Sequence, residues 1–498
     1  MTDGSAVTRQ VRRAFNLAKR VGGRVVSSRD SETNGAPIPE VVPIAALVTP
    51  FDPEYYRERY PDLVELDQDQ LIEHWNTSGQ LENRQGWPEG DKLISAIQDS
   101  NKFDRARETV LLVLHEGSYT GAPILGWNIA RELSKTKNVI TLLMKGGDLT
   151  PAFEQVSTVV INGDGIDWNK FESKIVAEGI AEKFNPTYAI ANSAMTYPFT
   201  PHLGRAGVPV VTLVHEFAAG LRTPKGTLLD DYYQQVDQVI FPAEIVAATM
   251  REDYPVLAER DVLILPQGQS EIPPKPQTAL AKSESVAPIK KPIGQVVDDY
   301  LSGLSDNDVL VLGAGTIEPR KGVDLFIQSA AYLQRRYYPQ HIKFAWIGGD
   351  GHDHLYVSQV REQLRRAGAP APIDFLFPTD DLTPLYNRTD ILFLSSRLDP
   401  MPNVAIDASV KGIPVVAFDK ASGYAELLSQ DLSLRELVVP DSDITAAAEL
   451  IARLADDNET RSMLGKKVQS QANSVFDMST YVARLDQLGH RPKHRTTP

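Results

Sequence analysis

The sequence predicts an α/β protein with two sheet-containing domains, preceded by a small helical extension. Short apolar runs alternate with helical patterns over residues 109–268, and the alternation restarts over residues 309–420. A stretch rich in Pro, Lys, Ser and Ala, at residues 270–293, separates the two series. The 498 residues also exceed one ordinary domain, which has about 100–200 residues. Together these observations indicate two domains joined by a linker.

Twelve apolar runs have the length of strands, seven before the linker and five after it. They are ETVLLVLHE, NVITLLM, TVVIN, TYAIAN, VPVVTLVHE, QVIFP and VLILPQG, then DVLVLGAG, KFAWIGGDG, IDFLFP, DILFLSS and IPVVAFD. Strands that alternate with helices form parallel sheets, and ligands bind at the carboxyl ends of those strands. Two such domains that face each other would enclose a cleft.

Composition narrows the class of function. Hydrophobic residues make up 42% of the chain and charged residues 23%, as in folded globular proteins. A net charge of −14 argues against general nucleic-acid binding, which depends on a basic face. The chain has no cysteine, which excludes disulfides, thiolate metal sites and cysteine nucleophiles and is consistent with a reducing cytosol.

The N-terminal segment has a different charge from the rest of the chain. Residues 8–26 contain basic residues and no acid, with apolar residues near helical spacing. In an acidic protein this pattern favours attraction to an anionic membrane surface, and a solvated terminus is the alternative. No apolar run approaches the roughly 18 residues of a membrane-spanning helix. We expect a cytoplasmic protein, with peripheral attachment at the inner face of the membrane left open.

A glycine-rich turn after the first strand of the second domain carries two adjacent cations. In VLGAGTIEPRKGVDLF, the turn contains Gly315 and Thr316, and Arg320 and Lys321 precede a helix. A dinucleotide-binding fingerprint is the main rival, but Glu318 stands where its third glycine should be. Adjacent Arg and Lys side chains beside such a turn instead suit a diphosphate.

Two carboxylates lie eight positions apart in DILFLSSRLDPMPNVAIDASVKG. Asp399 falls in a loop and Asp407 inside the following helix. The start of that helix, around residues 401–404, offers free N–H groups and the positive end of the helix dipole to phosphate or sugar oxygens. The loop carboxylate can accept hydrogen bonds from sugar hydroxyls, and the helical one from a ribose diol. A helix cap and a surface acid are the alternative interpretation.

Together the two segments resemble the donor-binding half of glycosyltransferase family 4, the retaining enzymes with the two-domain GT-B fold. That family shows Gly…Arg-Lys-Gly and a motif written roughly S-R-x-E-G-F-P-N-V-x-x-E-A. Here the motif runs from Ser396 to Ala408, with Asp399 and Asp407 in place of both glutamates. HEGSYTGAPILGW, GVPVVTLVHEF and LPQGQ resemble segments of the family's first half, with Gln267 in place of an Asn. The likeness covers about residues 108–485 in the family's order.

The resemblance implies roles for individual residues. Arg320 and Lys321 would neutralise the leaving diphosphate, Asp399 would hold the donor sugar, and His215 would lie near that sugar across the cleft from Arg320. The implied donor-binding residues are Gly315, Thr316, Phe377, Pro378, Met401, Pro402, Asn403, Val404 and Asp407. The implied residues of the glycine loop and acceptor side are Thr120, Gly121, Ala122 and Glu216.

The resemblance also implies an activity: transfer of a sugar, with retention, from a nucleotide-diphosphate sugar to a glycan or lipid-linked acceptor in bacterial surface polysaccharide synthesis. It implies no cofactor, because two cations and a helix terminus can stabilise the leaving group without a metal. A non-catalytic scaffold that binds sugar nucleotides is the alternative function. A glycan phosphorylase and a sugar-nucleotide epimerase are rival enzymes with the same architecture. The phosphorylase needs a pyridoxal lysine, and the sequence shows no signature for one. A homo-oligomer is left open.

Metal sites are the weakest candidates in the sequence. The triplets at residues 306–308 and 441–443 have the Asp-x-Asp form, but such triplets are expected by chance in a chain with 65 acidic residues. His352 and His354 could suggest zinc, yet residues 351–355 are predicted to be a loop. We therefore expect no functional metal.

The predicted domain bounds follow from these patterns. Residues 51–88, beginning FDPEYYRERYPDL, resemble a small module found beside bacterial glycosyltransferases, although a helical appendage without a catalytic role is favoured. The bounds are 1–40 for the basic segment and linker, 41–105 for the helical module, 106–268 for the acceptor-side domain, 269–300 for the linker, 301–475 for the donor-binding domain and 476–498 for the C-terminal helix and tail.

Overall fold

The structure, a computed structural model, describes residues 51–491 apart from 83, 88, 98–99, 169, 222–225, 275–294, 338, 340, 352, 369–371 and 380. The predicted basic segment, most of the predicted linker, His352 and the end of the predicted tail lie outside the described residues. No helix in the described part of the chain is both long and apolar enough to cross a membrane.

The extension consists of α1 (Pro53–Arg59), α2 (Gln68–His74) with a π-helical turn at Trp75–Gly79, and α3 (Glu89–Ala96). The extension has a small apolar core, in which Tyr56, Leu63 and Leu71 are buried. The Asp52 side chain accepts hydrogen bonds from the first turn of α1 and so fixes where that helix begins.

The first sheet has seven parallel strands in the order β3-β2-β1-β4-β5-β6-β7. They are β1 (Thr109–Leu114), β2 (Asn138–Leu143), β3 (Val159–Asn162), β4 (Tyr188–Ala191), β5 (Val210–Leu213), β6 (Gln238–Phe241) and β7 (Leu263–Ile264). The helices are α4 (Gly121–Leu133), α5 (Thr150–Val156), α6 (Lys170–Phe184), α7 (Thr200–Arg205), α8 (Ala218–Leu221), α9 (Gly226–Gln235), α10 (Glu244–Asp253) and α11 (Pro255–Ala258). All seven predicted strands are confirmed. The central strands are buried along their whole length, which explains their continuous apolar character.

The second sheet has six parallel strands in the order β10-β9-β8-β11-β12-β13. They are β8 (Val309–Ala314), β9 (Ile342–Ile347), β10 (Asp374–Leu376), β11 (Ile391–Leu394), β12 (Val415–Phe418) and β13 (Val438–Val439). The helices are α12 (Val297–Ser302), α13 (Val323–Tyr337), α14 (His354–Ala367), α15 (Thr383–Arg388), α16 (Asn403–Val410), α17 (Gly423–Gln430), α18 (Ile444–Asp456) and α19 (Asn458–Val475). The five predicted strands are present. The sequence analysis missed β13, and its loop prediction for residues 351–355 is wrong from His354 onward, where α14 begins.

A buried carboxylate helps to attach the extension to the first domain, on which α3 also packs through Leu93. Glu172, on α6, is fully buried. It accepts hydrogen bonds from the Tyr55 hydroxyl at 3.1 Å, the Gln85 side-chain amide at 3.0 Å and the Gly90 N–H at 2.7 Å. A carboxylate with three donors can be buried at tolerable cost, so these bonds give the extension a defined position.

The last helix returns to the first domain. Helix α20 (Met478–Gly489) packs on α4 and against β4 and β5. The Tyr188 hydroxyl donates to the Asp486 carboxylate at 2.7 Å, and Leu485 and Leu488 are buried in the same apolar cluster as β1. Gly268 permits the crossing, because a Cβ there would lie 2.5 Å from Met478 Cα.

A second contact joins the domains between α10 and α17. The Glu426 carboxylate accepts hydrogen bonds from the Glu244 N–H at 3.1 Å and the Ile245 N–H at 2.7 Å. These two N–H groups are at the N-terminus of α10, where a negative charge is favourable. The domains are therefore joined by this contact as well as by the return of α20.

Candidate functional site

The two predicted cations lie on a tight turn between β8 and α13. Residues Pro319–Lys321 form one turn of 3-10 helix, which ends at Gly322 with a φ of 65°. A Cβ at this glycine would lie 1.9 Å from the Ser395 carbonyl oxygen, so a side chain could not be accommodated. The turn, here called the cation turn, is therefore pressed against the residues that follow β11.

The cation turn and the loop carboxylate form one ion-paired cluster. Lys321 Nζ lies 2.5 Å from Asp399 Oδ2, and Arg320 Nη1 lies 4.0 Å from Asp399 Oδ1. Arg320 Nε also donates to Glu318 at 3.0 Å. The Lys321 and Asp399 side chains are only 14% and 7% exposed, whereas that of Arg320 is 48% exposed. Arg320 is thus the cation that an incoming ligand can reach first.

Arg397 holds the cation turn in place. Its guanidinium makes a two-pronged pair with Asp324, at 2.8 and 2.7 Å. The backbone N–H of Arg397 donates to the Arg320 carbonyl at 2.8 Å. Burial raises the pKa of Asp324, but hydrogen bonds from Arg397 and Tyr356 outweigh it and leave that pKa below its usual value. The sequence analysis noted Arg397 only as part of the motif.

A glycine after β8 lets the Lys321 side chain lie close to the backbone. Gly315, after β8, has a φ of 138°, and the Trp346 indole donates to its carbonyl at 2.9 Å. The Lys321 side chain lies over the position of a Gly315 Cβ, at 3.2 Å. Thr316 follows and is half-buried. The structure therefore places Gly315 directly beside Lys321.

The N-terminus of α16 lies beside this cluster. Pro402 precedes the helix and no side chain caps it, which leaves the first N–H groups, on Asn403 and Val404, available to a ligand. Met401 is buried. The Asp399 N–H donates to the Ala421 carbonyl at 3.0 Å, which fixes the loop that leads into the helix.

A loop of the first domain lies against α16. The Gln267 side-chain amide donates to Asn403 Oδ1 at 2.6 Å, and that of Gln269 donates to Asp407 Oδ1 at 3.0 Å. Burial raises the pKa of Asp407 to about 6, and the hydrogen bond from Gln269 opposes that shift. Asp407 is therefore held from the first domain, a contact that no sequence pattern indicated.

Phe377 and Pro378 follow β10 at the carboxyl edge of the second sheet. The Phe377 N–H donates to the Gln295 carbonyl at 2.9 Å. Pro378 is exposed, and its Cγ lies 3.6 Å from where a Cβ on Gly349 would be. The structure thus places this pair beside the loop that follows β9.

The first domain contributes a cluster after three neighbouring strands. His215 Nε2 lies 3.0 Å from Asn192 Oδ1, and Asn192 Nδ2 donates to the Ala122 carbonyl at 2.6 Å. Burial, with a smaller effect from His115, lowers the pKa of His215 to about 4. His215 is therefore a neutral imidazole near pH 7, linked through Asn192 to the glycine loop.

Glu216 follows His215 and is half-buried. It accepts hydrogen bonds from the Ser193 hydroxyl and from the His215 N–H, the latter at 2.9 Å. Burial raises its pKa, and these hydrogen bonds oppose the shift. Glu216 therefore fixes the backbone that carries His215.

Two residues of this cluster, His115 and Asn192, were not predicted from the sequence. His115 follows β1, and burial lowers its pKa. A signal was present, because VLLVLHE and VVTLVHE share the same pattern of a buried strand followed by His-Glu. Only the second copy was recognised.

Gly121 and Ala122 of the predicted glycine loop form the first turn of α4, and this turn connects the two sides of the site. A Cβ on Gly121 would lie 3.8 Å from Asn403 Nδ2, so this residue faces the start of α16. Thr120 is exposed and its hydroxyl lies 2.9 Å from that of Ser118. The structure thus joins Arg320, Lys321 and Asp399 in one cluster and His215, Glu216 and Ala122 in another. It shows no hydrogen bond between His215 and Arg320 within the described residues.

The Asp-x-Asp triplets have local structural roles. Asp443 Oδ1 accepts hydrogen bonds from two N–H groups at the start of α18, and Asp308 Oδ2 accepts one from the Ser305 N–H. Among the residues that the structure describes, no group of three or more His, Asp or Glu side chains is arranged to hold a metal ion.

Comparison with known proteins gives three findings on sequence. Residues 301–471 match the family described as glycosyl transferases group 1. An exopolysaccharide phosphotransferase of Streptomyces coelicolor is 28% identical over 172 residues, covering 34% of this chain and 17% of that protein. A D-inositol 3-phosphate glycosyltransferase of Corynebacterium glutamicum is 26% identical over 188 residues, covering 37% of this chain and 44% of that protein. The chain thus spans less than half the length of these curated relatives.

A solved structure shows the fold over both domains. HepE from Anabaena, crystallised with UDP and glucose, superposes with a TM-score of 0.61 at 16% identity, covering 76% of this chain and 98% of that one. The predicted fold class, GT-B with two parallel sheets and a helical N-terminal segment, is therefore confirmed.

Proposed function

We propose that the protein is a retaining glycosyltransferase that moves a sugar from a nucleoside-diphosphate sugar to a glycan or lipid-linked acceptor in the synthesis of a bacterial surface polysaccharide. The observation that carries the proposal is the cluster of Arg320, Lys321 and Asp399 beside the uncapped start of α16. The match of residues 301–471 to group 1 glycosyl transferases supports it, since this cluster lies within them. HepE, with the same fold, was crystallised with UDP.

The chemistry asks the site to stabilise a departing diphosphate. The bond between the anomeric carbon and the diphosphate oxygen breaks, and the acceptor oxygen bonds to that carbon on the same face. The acceptor proton passes to the leaving phosphate oxygen. Negative charge builds on the diphosphate, where preorganised cations and helix N–H groups stabilise it most.

The resting ion pairs suit this role. Glu318, Arg320, Lys321 and Asp399 carry two positive and two negative charges, so the cluster is neutral before a ligand enters. Arg320, the exposed member, can turn from Glu318 to a phosphate, while Asp399 keeps Lys321 in position. Asp399 can then accept a hydrogen bond from a donor-sugar hydroxyl, and Asp407 can accept one from the ribose.

A donor screen tests the proposal. Wild type and Arg320→Ala are compared for binding and slow hydrolysis of UDP-, GDP-, ADP- and dTDP-glucose, with Arg335→Ala as a matched control. Arg335 is an exposed arginine in the last turn of α13, away from the cation turn. We expect one donor to raise the melting temperature of wild type and the control and to be hydrolysed by both, and Arg320→Ala to lose both effects. If wild type binds none of the donors, with or without magnesium or manganese, the proposal is wrong.

We also propose that the protein works at the inner face of the membrane, held there by its basic N-terminal segment. The support is the sequence of residues 8–26, which is basic in a chain of net charge −14. Deletion of residues 1–40 should then abolish co-sedimentation with vesicles containing anionic lipid and leave hydrolysis of the donor unchanged. Equal sedimentation of the full chain and the truncated chain would contradict this.

A further inference from the structure

We propose that His115 binds a hydroxyl of the donor sugar, next to His215. The inference rests on the proposed function, because it requires a sugar attached to a diphosphate at the cation turn. It adds a binding residue on the first domain that the motif comparison did not identify. Four observations support it: the placement of His115, an unsatisfied nitrogen of its ring, the charge of the histidine cluster, and the position of that cluster relative to α16.

The placement follows from the sheet. Strands β1, β4 and β5 are neighbours, so the residues that follow them lie side by side at its carboxyl edge. These residues are His115, Asn192 and His215. The effect of His115 on the pKa of His215 is consistent with this proximity.

One nitrogen of the His115 ring lacks a hydrogen bond. Among the described residues nothing bonds to His115 Nδ1, although that atom is shielded from solvent. The other nitrogen, Nε2, lies 3.8 Å from a Glu116 oxygen that already accepts from the Ser118 hydroxyl at 2.6 Å. Neither ring nitrogen therefore has a hydrogen bond within the described residues, and a ligand hydroxyl could supply one at Nε2, which is not shielded in the way that Nδ1 is. The side chain is 27% exposed, so the ring reaches the surface at the sheet edge.

The charge of the cluster favours a hydroxyl over a phosphate. Burial lowers the pKa of both His115 and His215, so both rings are neutral near pH 7. A neutral imidazole offers one donor and one acceptor, which matches a hydroxyl. A phosphate would instead be bound by cations, and those lie on the other domain.

The position of the cluster points to the donor sugar. Asn192 links His215 to the carbonyl of Ala122, and the preceding residue, Gly121, faces Asn403 at the start of α16. A diphosphate at that helix terminus would therefore have its sugar beside Gly121, at the edge of the histidine cluster.

The test uses donors that lack one hydroxyl. Hydrolysis of UDP-glucose and its 2-, 3-, 4- and 6-deoxy forms is measured for wild type, His115→Ala, His115→Gln and His341→Ala. If wild type does not hydrolyse UDP-glucose, the same series is made from the donor that the screen identifies. His341 is a matched control, because it is a partly exposed histidine of the second domain and precedes the amino end of β9, away from the carboxyl ends of the strands. Affinity for free UDP reports whether each variant is folded.

We expect wild type and the control to discriminate against one deoxy donor by about tenfold or more in kcat/KM, as expected when a buried hydrogen bond is lost. His115→Ala should reduce that one ratio to near unity and keep the others, and His115→Gln should restore part of it. A uniform loss on all donors or unchanged discrimination overturns the inference. A wild type that neither binds nor hydrolyses any parent donor overturns the proposed function itself, and this inference with it.

Discussion

The two sides of the site balance their polar groups in opposite ways. On the second domain charges are kept and paired, Lys321 with Asp399 and Arg320 with Glu318. On the first domain burial disfavours charge, because it lowers the pKa of both histidines and raises that of Glu216. A side with paired charges and an exposed arginine suits a diphosphate, and a side without charged groups suits hydroxyl groups. We infer that the two sides recognise different parts of one substrate, and the expected outcomes below test that division.

The largest effect is expected from the charged side. Asp399→Asn removes the carboxylate that positions Lys321 and keeps the side-chain volume, so kcat/KM for the donor should fall by about 100-fold or more. Initial rates of donor hydrolysis measure this. Asp441→Asn is the control, because Asp441 is an exposed acid of the same domain. Asp399→Asn activity within a few-fold of wild type would break the comparison.

A smaller effect on donor binding is expected at Arg397, which holds the cation turn in place. Arg397→Lys keeps the charge but cannot make the two-pronged pair with Asp324. The cation turn should loosen, so the KM for the donor should rise by about tenfold with a smaller change in kcat, since donor binding depends on the turn. Arg335→Lys is the control. An unchanged KM would mean that the turn keeps its shape without Arg397.

The pH dependence of Asp407 separates stability from binding. Its pKa in the folded protein is about 6, above the usual 3.8, so the folded state holds a proton that the unfolded state releases. Ionisation of Asp407 above pH 6 therefore destabilises the fold, and Asp407→Asn should raise the melting temperature at neutral pH. That gain should shrink as the pH falls toward the usual pKa.

As the pH falls, donor affinity should respond in the opposite direction from stability. It should decrease in wild type as the pH drops through the pKa of about 6, because a protonated Asp407 has lost acceptor capacity for the ribose. In Asp407→Asn this step should be absent and affinity low throughout. A wild-type affinity that stays constant across this range would contradict the ribose role.

The last expected effect is on stability and concerns Glu216, which follows His215 on the first domain. Glu216→Leu leaves the Ser193 hydroxyl and the His215 N–H without their acceptor, so it should lower the free energy of unfolding by about 1–3 kcal/mol. Glu216→Gln provides an amide oxygen at the same place and should restore most of the loss. Urea denaturation measures both. Equal stability of the two variants would show that the hydrogen bonds to Glu216 do not hold this side.

The parts of the fold that depend on local pattern could be predicted from the sequence. Twelve of the thirteen strands were found, because buried parallel strands are continuous apolar runs. β13 was missed because Val438–Val439 is too short to show a pattern. The α14 start at His354 was missed because a glycine-rich stretch precedes it, although Asp353 caps the helix.

The parts of the site that depend on contacts between domains could not be predicted. The pairs Gln269–Asp407 and Glu426–Ile245 join residues far apart in sequence, and amides and carboxylates of this kind are common on any surface. The cation turn, in contrast, was predictable, because its glycines and cations are adjacent in the chain. His115 lies between these cases, with a repeated strand-His-Glu pattern that became informative only when β1 and β5 proved to lie on either side of β4.

The most direct test of the division is calorimetric titration with UDP and with UDP-glucose, or with the matching pair for whichever donor the screen identifies. Wild type, Arg320→Ala and His215→Asn are compared. The account predicts that Arg320→Ala weakens binding of both ligands by a similar factor, whereas His215→Asn leaves UDP unchanged and weakens only the nucleotide sugar. If His215→Asn weakens UDP as much as the nucleotide sugar, or Arg320→Ala weakens neither ligand, the two sides do not divide the substrate and the account is wrong.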